Sequence, residues 1–199
     1  SYACATCSIR CGAIIKVDDG PFATDDELHR PEYETLAAFG PLCRNDNLES
    51  IIKVNDICNR VGLDTISAGG TVAFAIECYE NGLISTDDTG GLELTWGNAE
   101  NIVEITRQMA RREGFGAVLA DGSKKAAERI GKGSEQYAMN VGGRELPLHD
   151  PRIAPAQGAI YMTDSQPANH MNYVAAVILE QGHPLGPDPA LASEGSEMF

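Results

Sequence analysis

The sequence has few basic residues, no long apolar run and no signal-peptide pattern. Its 199 residues include 15 lysines and arginines against 29 aspartates and glutamates, which gives a formal net charge of −14. This charge repels phosphate backbones and anionic lipid, so nucleic-acid-binding and membrane-surface roles are disfavoured. No apolar stretch is long enough to cross a bilayer. We therefore expect a cytoplasmic protein that binds neither nucleic acid nor membrane.

The cysteines are not distributed as in a disulfide-stabilised secreted domain. Cys4, Cys7 and Cys11 form a C-x2-C-x3-C pattern, and the remaining three of the six are scattered singly: Cys43, Cys58 and Cys78. Three thiolates so close together can point at one centre, because the intervening residues form a tight turn and Gly12 adds no side chain. The pattern favours a reducing compartment and a bound metal.

A second C-x2-C pair or a histidine pair, which a structural zinc site usually needs, is also missing. A [4Fe–4S] cluster is therefore the better interpretation, although the spacing differs from that of bacterial ferredoxins. The fourth ligand is one of the scattered cysteines or a residue outside the chain. Cys58 and Cys78 lie on apolar stripes of predicted helices, which is typical of buried cysteines acting as small hydrophobes. Cys43 follows a helix end in GPLCRND and remains a candidate ligand.

The hydrophobic pattern predicts a mainly α fold. We expect a short strand at residues 13–17, another within residues 83–97, and a change of texture after residue 140, where glycine and proline become frequent. Predicted helices cover residues 31–40, 45–62, 71–82, 98–114 and 123–131, with a further one at 172–182. Pro31 and Gly40 are expected to bound the first of these helices, and Asn45 or Asp46 to cap the second.

Two other positions have side chains suited to a site. Asp64 follows the helix-ending Gly62, and its carboxylate can accept two parallel N–H bonds from a flat heterocycle such as an aminopyrimidinone. The Gly69-Gly70 pair would let such a ligand approach the backbone. An ordinary helix-ending turn is the simpler interpretation of this segment. His170 lies in a polar, turn-rich stretch, where a lone histidine is typically a surface residue.

A series of motifs in this order resembles the tungsten-dependent aldehyde:ferredoxin oxidoreductase family: CATCSIRCG, RPEYETLAAFG, CNRVGLDTISAGG, AIECYENGLI, TWGN, RREGFGAVLADGSKKAAERIGKG, RELPLHDPR and YMTDSQPANH. The resemblance implies a tungsten held by two pterin dithiolenes beside a [4Fe–4S] cluster; molybdenum in place of tungsten stays open. It implies a helical domain at residues 1–140 with the iron–sulfur cysteines and the first pterin-binding motif. Residues 141–199 would begin a further, incomplete helical domain.

The resemblance also assigns the cofactor ligands. Cys4, Cys7 and Cys11 match three cluster ligands, and the family's fourth comes from a later G-L-C motif that this chain does not contain. The family's pterin-binding D-x-x-G-L-D motif corresponds to Asn59, Gly62, Leu63 and Asp64. Asn59 replaces the first aspartate of that motif, and an amide offers one acceptor where a carboxylate offers two.

Glu34 matches the family's active-site glutamate and His170 its active-site histidine. Asn172 replaces a basic residue that some members have after that histidine. Some members also bind an iron between subunits through a glutamate and a histidine, and here Lys53 and Val103 occupy those places. That metal site is therefore predicted to be absent.

The function implied is the oxidation of aldehydes to carboxylic acids, with electrons leaving through the cluster to ferredoxin or another low-potential carrier. The metal would act as a Lewis acid, Glu34 would deprotonate a water, and His170 would hydrogen-bond the developing oxyanion. One alternative is a tungsten subunit like that of benzoyl-CoA reductase, in which a cysteine, here Cys43, binds tungsten. Another is an electron-transfer iron–sulfur module without a substrate. We expect no turnover without the rest of the enzyme chain.

Overall fold

The computed structural model describes residues 1–152 and 155–172. It divides into two compact units, the first being Ser1–Met139 and the second beginning at Asn140. The elements of the first unit are β1 (Ile14–Ile15), β2 (Leu28–His29), α1 (Tyr33–Phe39), α2 (Leu48–Val61), α3 (Thr65–Glu80), α4 (Ala99–Arg111), α5 (Gly116–Leu119) and α6 (Ser123–Ile130). Short 3-10 turns lie at Pro41–Cys43 and Ser134–Tyr137. The prediction of a mainly α fold is confirmed.

The described part of the second unit contains a two-stranded hairpin and one helix. β3 (Asn140–Val141) pairs antiparallel with β4 (Arg144–Glu145), and α7 covers Pro155–Thr163. Our sequence analysis predicts no helix where α7 lies, because glycine and proline are frequent in this part of the chain. The helix predicted at residues 172–182 falls, apart from its first residue, outside the described residues.

Asparagine caps start two of the long helices. The Asn47 side chain accepts a hydrogen bond from the Ser50 N–H at the start of α2, and Asn98 does the same at the start of α4. The predicted cap at Asn45 or Asp46 is wrong, because the Asn45 amide instead donates to the Ser50 hydroxyl at 2.9 Å. The predicted end of α2 at Gly62 is confirmed, since Gly62 adopts the left-handed conformation at φ 72°.

The helix α3 begins earlier than predicted and includes the Gly69-Gly70 pair. Its first residue is Thr65, because the Asp64 side chain accepts a hydrogen bond from the Ser67 N–H at 2.7 Å. The expectation that this glycine pair admits a ligand is wrong for Gly69. A Cβ there would lie 2.6 Å from the Cβ of Ala38, so Gly69 lets α1 and α3 pack closely.

The core of the first unit lies around α3, which is buried over most of its length because its residues are mostly apolar. Phe39 from α1 and Ile105 from α4 are both 0% exposed in this core. Leu94 belongs to the segment expected to form a strand, but residues 83–97 contain none. Leu94 instead packs into the core at 2% exposure, which anchors the connection.

Two details of the first part of the chain differ from prediction. The strand at residues 13–17 is shorter, and it pairs with β2, which the pattern did not indicate. The helix α1 begins at Tyr33, not at Pro31, and ends at Gly40 with φ −94°, outside the left-handed region. Glycine is still required at this end, because a Cβ would clash with the carbonyl oxygen of Leu36.

Candidate functional site

A cavity of about 790 Å³ opens in the first unit where four elements meet. Its walls come from β2 with the residues around it, the start of α1, the second half of α2 and the start of α3. The residues discussed below belong to its lining: Asp26, His29, Glu34, Thr35, Asn55, Asp56, Asn59, Arg60, Asp64 and Thr65. The structure therefore brings Glu34, Asn59 and Asp64, which are distant in sequence, into one cavity.

Helices α1 and α3 hold Glu34 and Asp64 in this common wall. The hydroxyl oxygens of Thr35 and Thr65, each one residue further along the chain, share a hydrogen bond at 2.8 Å. Thr35 is buried at 4% exposure, which gives this hydroxyl pair a fixed setting. Together with the close approach at Gly69, it fixes the relative position of the two helix starts.

The four residues of the predicted pterin motif divide into two groups. Asn59 and Asp64 line the cavity, whereas Gly62 and Leu63 are not part of its lining. The N–H groups of Gly62 and Leu63 both donate to the Cys58 carbonyl, which makes a tight helix-ending turn. This turn places the helix start after Asp64 beside the last turn of α2.

Both cavity-lining motif residues have defined hydrogen bonds. Asp64 uses Oδ1 as the helix cap of α3, and the residue is solvent-exposed. The Asn59 amide donates to Oδ1 of Asn55 at 3.1 Å, which orients the Asn59 oxygen away from that bond. A carboxylate and an amide oxygen are acceptors suited to the N–H edge of a heterocycle.

Arg60 ties two further carboxylates into the cavity wall. Its Nε donates to Asp56 at 2.6 Å and its Nη2 to Asp26 at 3.0 Å. These hydrogen bonds, the one to Asp26 foremost, raise the pKa of Arg60. Sequence reasoning missed Asn55 and Arg60, although their spacing of four residues from Asn59 and Asp56, respectively, is the helical neighbour spacing that could have indicated both contacts.

The three N-terminal cysteines lie in a closed loop, which we call the cysteine loop (residues 2–12). Tyr2 N–H donates to the Gly12 carbonyl at 2.8 Å, and Cys7 N–H donates to the Cys4 carbonyl at 3.1 Å. Cys4 and Cys11 are exposed and Cys7 is half-buried, and all three are free thiols. None of them belongs to the lining of the cavity.

The other three cysteines have a different environment. Cys43, Cys58 and Cys78 are each 0% exposed, and burial raises the pKa of each thiol to about 12. The Cys43 thiol donates to the Ala38 carbonyl oxygen at 3.3 Å. These contacts argue against Cys43 as a metal ligand, because metals bind the thiolate.

His170 belongs to the second unit. Its ring stacks on that of His149 with centroids 5.2 Å apart and an interplanar angle of 20°. Tyr161 donates a hydrogen bond to the His149 carbonyl at 3.0 Å, which ties that segment to α7. The Asn172 amide donates to Asp164 at 2.7 Å, so it closes the loop that contains His170.

The resemblance predicts no metal at Lys53 and Val103, and the structure describes both residues. The Lys53 ammonium donates to the Ala23 carbonyl oxygen at 2.7 Å. Val103 is buried in the core at 3% exposure.

Within the described residues, no helix is both long and apolar enough to cross a bilayer.

Comparisons with known proteins identify a matching family model and several relatives. The family model described as aldehyde ferredoxin oxidoreductase, domains 2 and 3, matches residues 1–198. The chain is 39% identical over 189 residues to the tungsten-containing aldehyde ferredoxin oxidoreductase of Pyrococcus furiosus, covering 94% of this chain and 30% of that protein. It is 30% identical over 147 residues to the aliphatic sulfonate oxidoreductase, WOR-like subunit, of the same organism, covering 72% of the chain and 23% of that protein.

Among solved structures, the active site complex BamBC of benzoyl coenzyme A reductase in complex with 1,5 dienoyl-CoA is similar with a TM-score of 0.68 and 25% identity. The match covers 100% of this chain and 28% of that one. The chain thus spans less than a third of the length of the proteins it matches. With the family model matched over nearly every residue, the chain belongs to the aldehyde ferredoxin oxidoreductase family.

Proposed function

We propose that the protein containing this chain is a tungsten–pterin oxidoreductase that oxidises aldehydes to carboxylic acids and passes the electrons through a [4Fe–4S] cluster to ferredoxin. The observation that carries this proposal is the common cavity lined by Glu34, Asn59 and Asp64. The relatives named as tungsten-containing aldehyde ferredoxin oxidoreductases support the metal and the reaction class. Ferredoxin as the acceptor, an aldehyde as the substrate and the cytoplasm as the compartment belong to the proposal.

The residues present fit both cofactors in their chemistry. Cys4, Cys7 and Cys11 are free thiols in one closed turn, as a cluster loop requires, and the fourth ligand would come from elsewhere in the protein. The cavity would admit a flat heterocycle, for which Asp64 and Asn59 supply acceptors. We assign these five side chains to cofactor binding, with Gly62 and Leu63 shaping the turn between Asn59 and Asp64.

When bound, the tungsten–pterin group supplies a Lewis acid and a two-electron acceptor, and the cluster supplies one-electron steps to a carrier. Conversion of an aldehyde and water into a carboxylic acid releases two electrons and two protons. This chain's residues must therefore bind the cofactors and move protons. Molybdenum would serve the same chemistry.

Glu34 is our candidate general base. It lies at the start of α1, lines the cavity and is half-buried, so its carboxylate can receive a proton from a water that enters there. The Thr35–Thr65 hydroxyl pair next to it restricts how far the start of α1 can move. His170 is our candidate hydrogen-bond donor to the developing oxyanion, and the stacked His149 ring restricts its orientation.

Charge removal at Asp64 tests the assignment on the full-length protein. Asp64→Asn keeps a good helix cap but removes the carboxylate, so protein stability should stay within about 0.5 kcal/mol. We expect pterin and tungsten to bind about ten- to a hundredfold more weakly, since a charge-assisted hydrogen bond is lost. Measured pterin and tungsten content, and aldehyde-dependent reduction of a low-potential dye, should fall together.

Asp46→Asn is the matched control, because Asp46 is exposed and lies outside the cavity lining. Glu34→Gln should keep both cofactors and lose aldehyde oxidation. Full pterin content in Asp64→Asn would contradict our assignment of Asp64. A full-length protein that holds an iron–sulfur cluster but no tungsten or molybdenum would favour the electron-transfer module.

A benzoyl-CoA-reductase-like activity is the second candidate, supported by the similarity to the BamBC complex over the whole chain. Its proposed tungsten ligand in this chain is Cys43. The buried thiol of Cys43, with its raised pKa and its bond to the Ala38 carbonyl, argues against that role. Metal-edge spectroscopy of wild type and Cys43→Ala would decide the order, since a lost tungsten–sulfur contact in the variant would favour the reductase.

A further inference from the structure

The cysteine loop is tied to the cavity wall by a continuous series of hydrogen bonds. The Tyr2 hydroxyl and Nδ1 of His29 share a hydrogen bond at 2.7 Å. His29 lies in β2 and belongs to the cavity lining. Its carbonyl oxygen accepts from the Asn55 amide at 3.3 Å, and Asn55 Oδ1 accepts from Asn59 at 3.1 Å. One residue, His29, therefore contacts both the cysteine loop and α2.

The loop end of this series is closely packed. The rings of Tyr2 and His29 meet edge to face, with centroids 5.1 Å apart and an interplanar angle of 71°. The Tyr2 ring also lies over Gly12, where an added Cβ would come within 2.5 Å of the ring carbon that carries the hydroxyl. Because Gly12 has no side chain, Tyr2 can close the loop and contact His29 at the same time.

The other end of the series reaches the cofactor-binding candidates. Asn55 is 5% exposed. Its amide donates to the His29 carbonyl and accepts from Asn59, so its orientation is defined. Asn59 is the first residue of the predicted pterin motif, and Asp64 follows one short turn later. Any shift of His29 would therefore change the contacts of both the cysteines and the pterin motif.

We propose that Tyr2 and His29 are positioning residues that fix the cysteine loop against the cavity wall, so that the cluster and the pterin keep one separation. This inference rests on the proposed function, because it requires a cluster on Cys4, Cys7 and Cys11. Neither residue is a metal ligand in this proposal. Their side-chain hydrogen bond acts on the cysteine loop, whereas the bond to the Asn55 amide uses the main-chain carbonyl of His29 and does not depend on its ring.

The test uses the full-length protein loaded with its cofactors. Tyr2→Phe keeps the ring over Gly12 and removes only the hydroxyl. His29→Leu removes the ring nitrogen, whereas His29→Asn places an amide where Nδ1 was. We expect iron release to a chelator to be about fivefold faster in Tyr2→Phe and His29→Leu, as for one lost hydrogen bond. The reduction potential and the magnetic spectrum of the cluster should also change, with pterin content unchanged.

Three comparisons decide whether the pair acts as we propose. The double variant should release iron no faster than either single variant, because both remove the same bond. His29→Asn should restore most of the wild-type behaviour. Tyr79→Phe is the matched control, since Tyr79 is half-buried on α3 outside the cavity and loses the same atom.

Each other result would overturn the inference. Unchanged iron release and an unchanged cluster spectrum in Tyr2→Phe would remove the positioning role alone. A common loss of cluster, pterin and thermal stability would show a general folding role instead. If wild type holds no cluster that depends on Cys4, Cys7 and Cys11, the proposed function fails and this inference fails with it.

Discussion

The cysteine loop and the helical core each contain three cysteines, and the two sets differ in spacing and in exposure. Cys4 and Cys11 are exposed in a closed turn, whereas Cys43, Cys58 and Cys78 are each 0% exposed. Burial keeps the core thiols protonated, with pKa values raised to about 12. Spacing and exposure, more than cysteine content, therefore separate a metal-binding role from a packing role.

Different interactions stabilise the two regions. The core around α3 is stabilised by apolar burial and by a close helix contact at Gly69. The cysteine loop is held by backbone bonds at Gly12 and by the Tyr2–His29 pair. A change in the core should therefore lower stability, and a change in the loop should lower cofactor binding.

The largest expected effect concerns the cysteine loop. Cys7→Ser in the full-length protein should lose most of its cluster iron, because a hydroxyl is a poor ligand for this iron–sulfur chemistry. Cys78→Ala, the core control, should keep its iron and cost about 1–2 kcal/mol of stability as a buried truncation. Iron and sulfide analysis measures the difference. Equal iron in the two variants would erase the distinction between the regions.

The second largest effect is expected in the helical core. Gly69→Ala should lower the free energy of unfolding by about 1–3 kcal/mol, because the new Cβ would overlap Ala38 across the α1–α3 contact. Thermal unfolding of the full-length protein measures this loss. Adding Ala38→Gly should recover part of the loss by removing the opposing methyl group. An unchanged melting temperature in Gly69→Ala would contradict the close packing.

The smallest effect concerns pH. The folded-state pKa of Cys43 is about 12, against an ordinary value of 9.0, so its contribution to stability is complete below pH 9 and is lost as pH rises towards 12. Between pH 9 and 10 the free energy of unfolding should fall by about 1 kcal/mol or less per buried thiol. In Cys43→Ala this slope should be smaller than in wild type. Identical slopes would show that Cys43 is not buried as described.

Sequence patterns predicted best where a single helix carries the signal. The amphipathic stripes of α2 and α4 and the left-handed Gly62 are local features, and the structure has them. Helix starts were harder, because Asn45, Asp46 and Asn47 are all residue types that cap helices well, and the structure uses Asn47. The early start of α3 was missed because the Gly69-Gly70 pair, which resembles a loop, lies in the first half of the helix.

Candidate site residues came from the ordered motifs. The grouping of Glu34, Asn59 and Asp64 around one cavity did not follow from any local pattern. The hydrogen bonds from Asn55 to His29 and from Arg60 to Asp26 were also missed, because they join segments far apart in sequence. A hydrogen bond between such segments depends on how the helices pack.

The sequence by itself determined the helical class, the acidic charge, the close spacing of the N-terminal cysteines and the family resemblance. The first three follow from composition, spacing and periodicity, which are properties of neighbouring residues, and the resemblance follows from the ordered motifs. Only the tertiary structure decided that Glu34, Asn59 and Asp64 share a cavity and that Cys43 is buried. The physical reason is that burial and side-chain convergence arise when helices pack, here through the Gly69–Ala38 contact and the Thr35–Thr65 hydrogen bond.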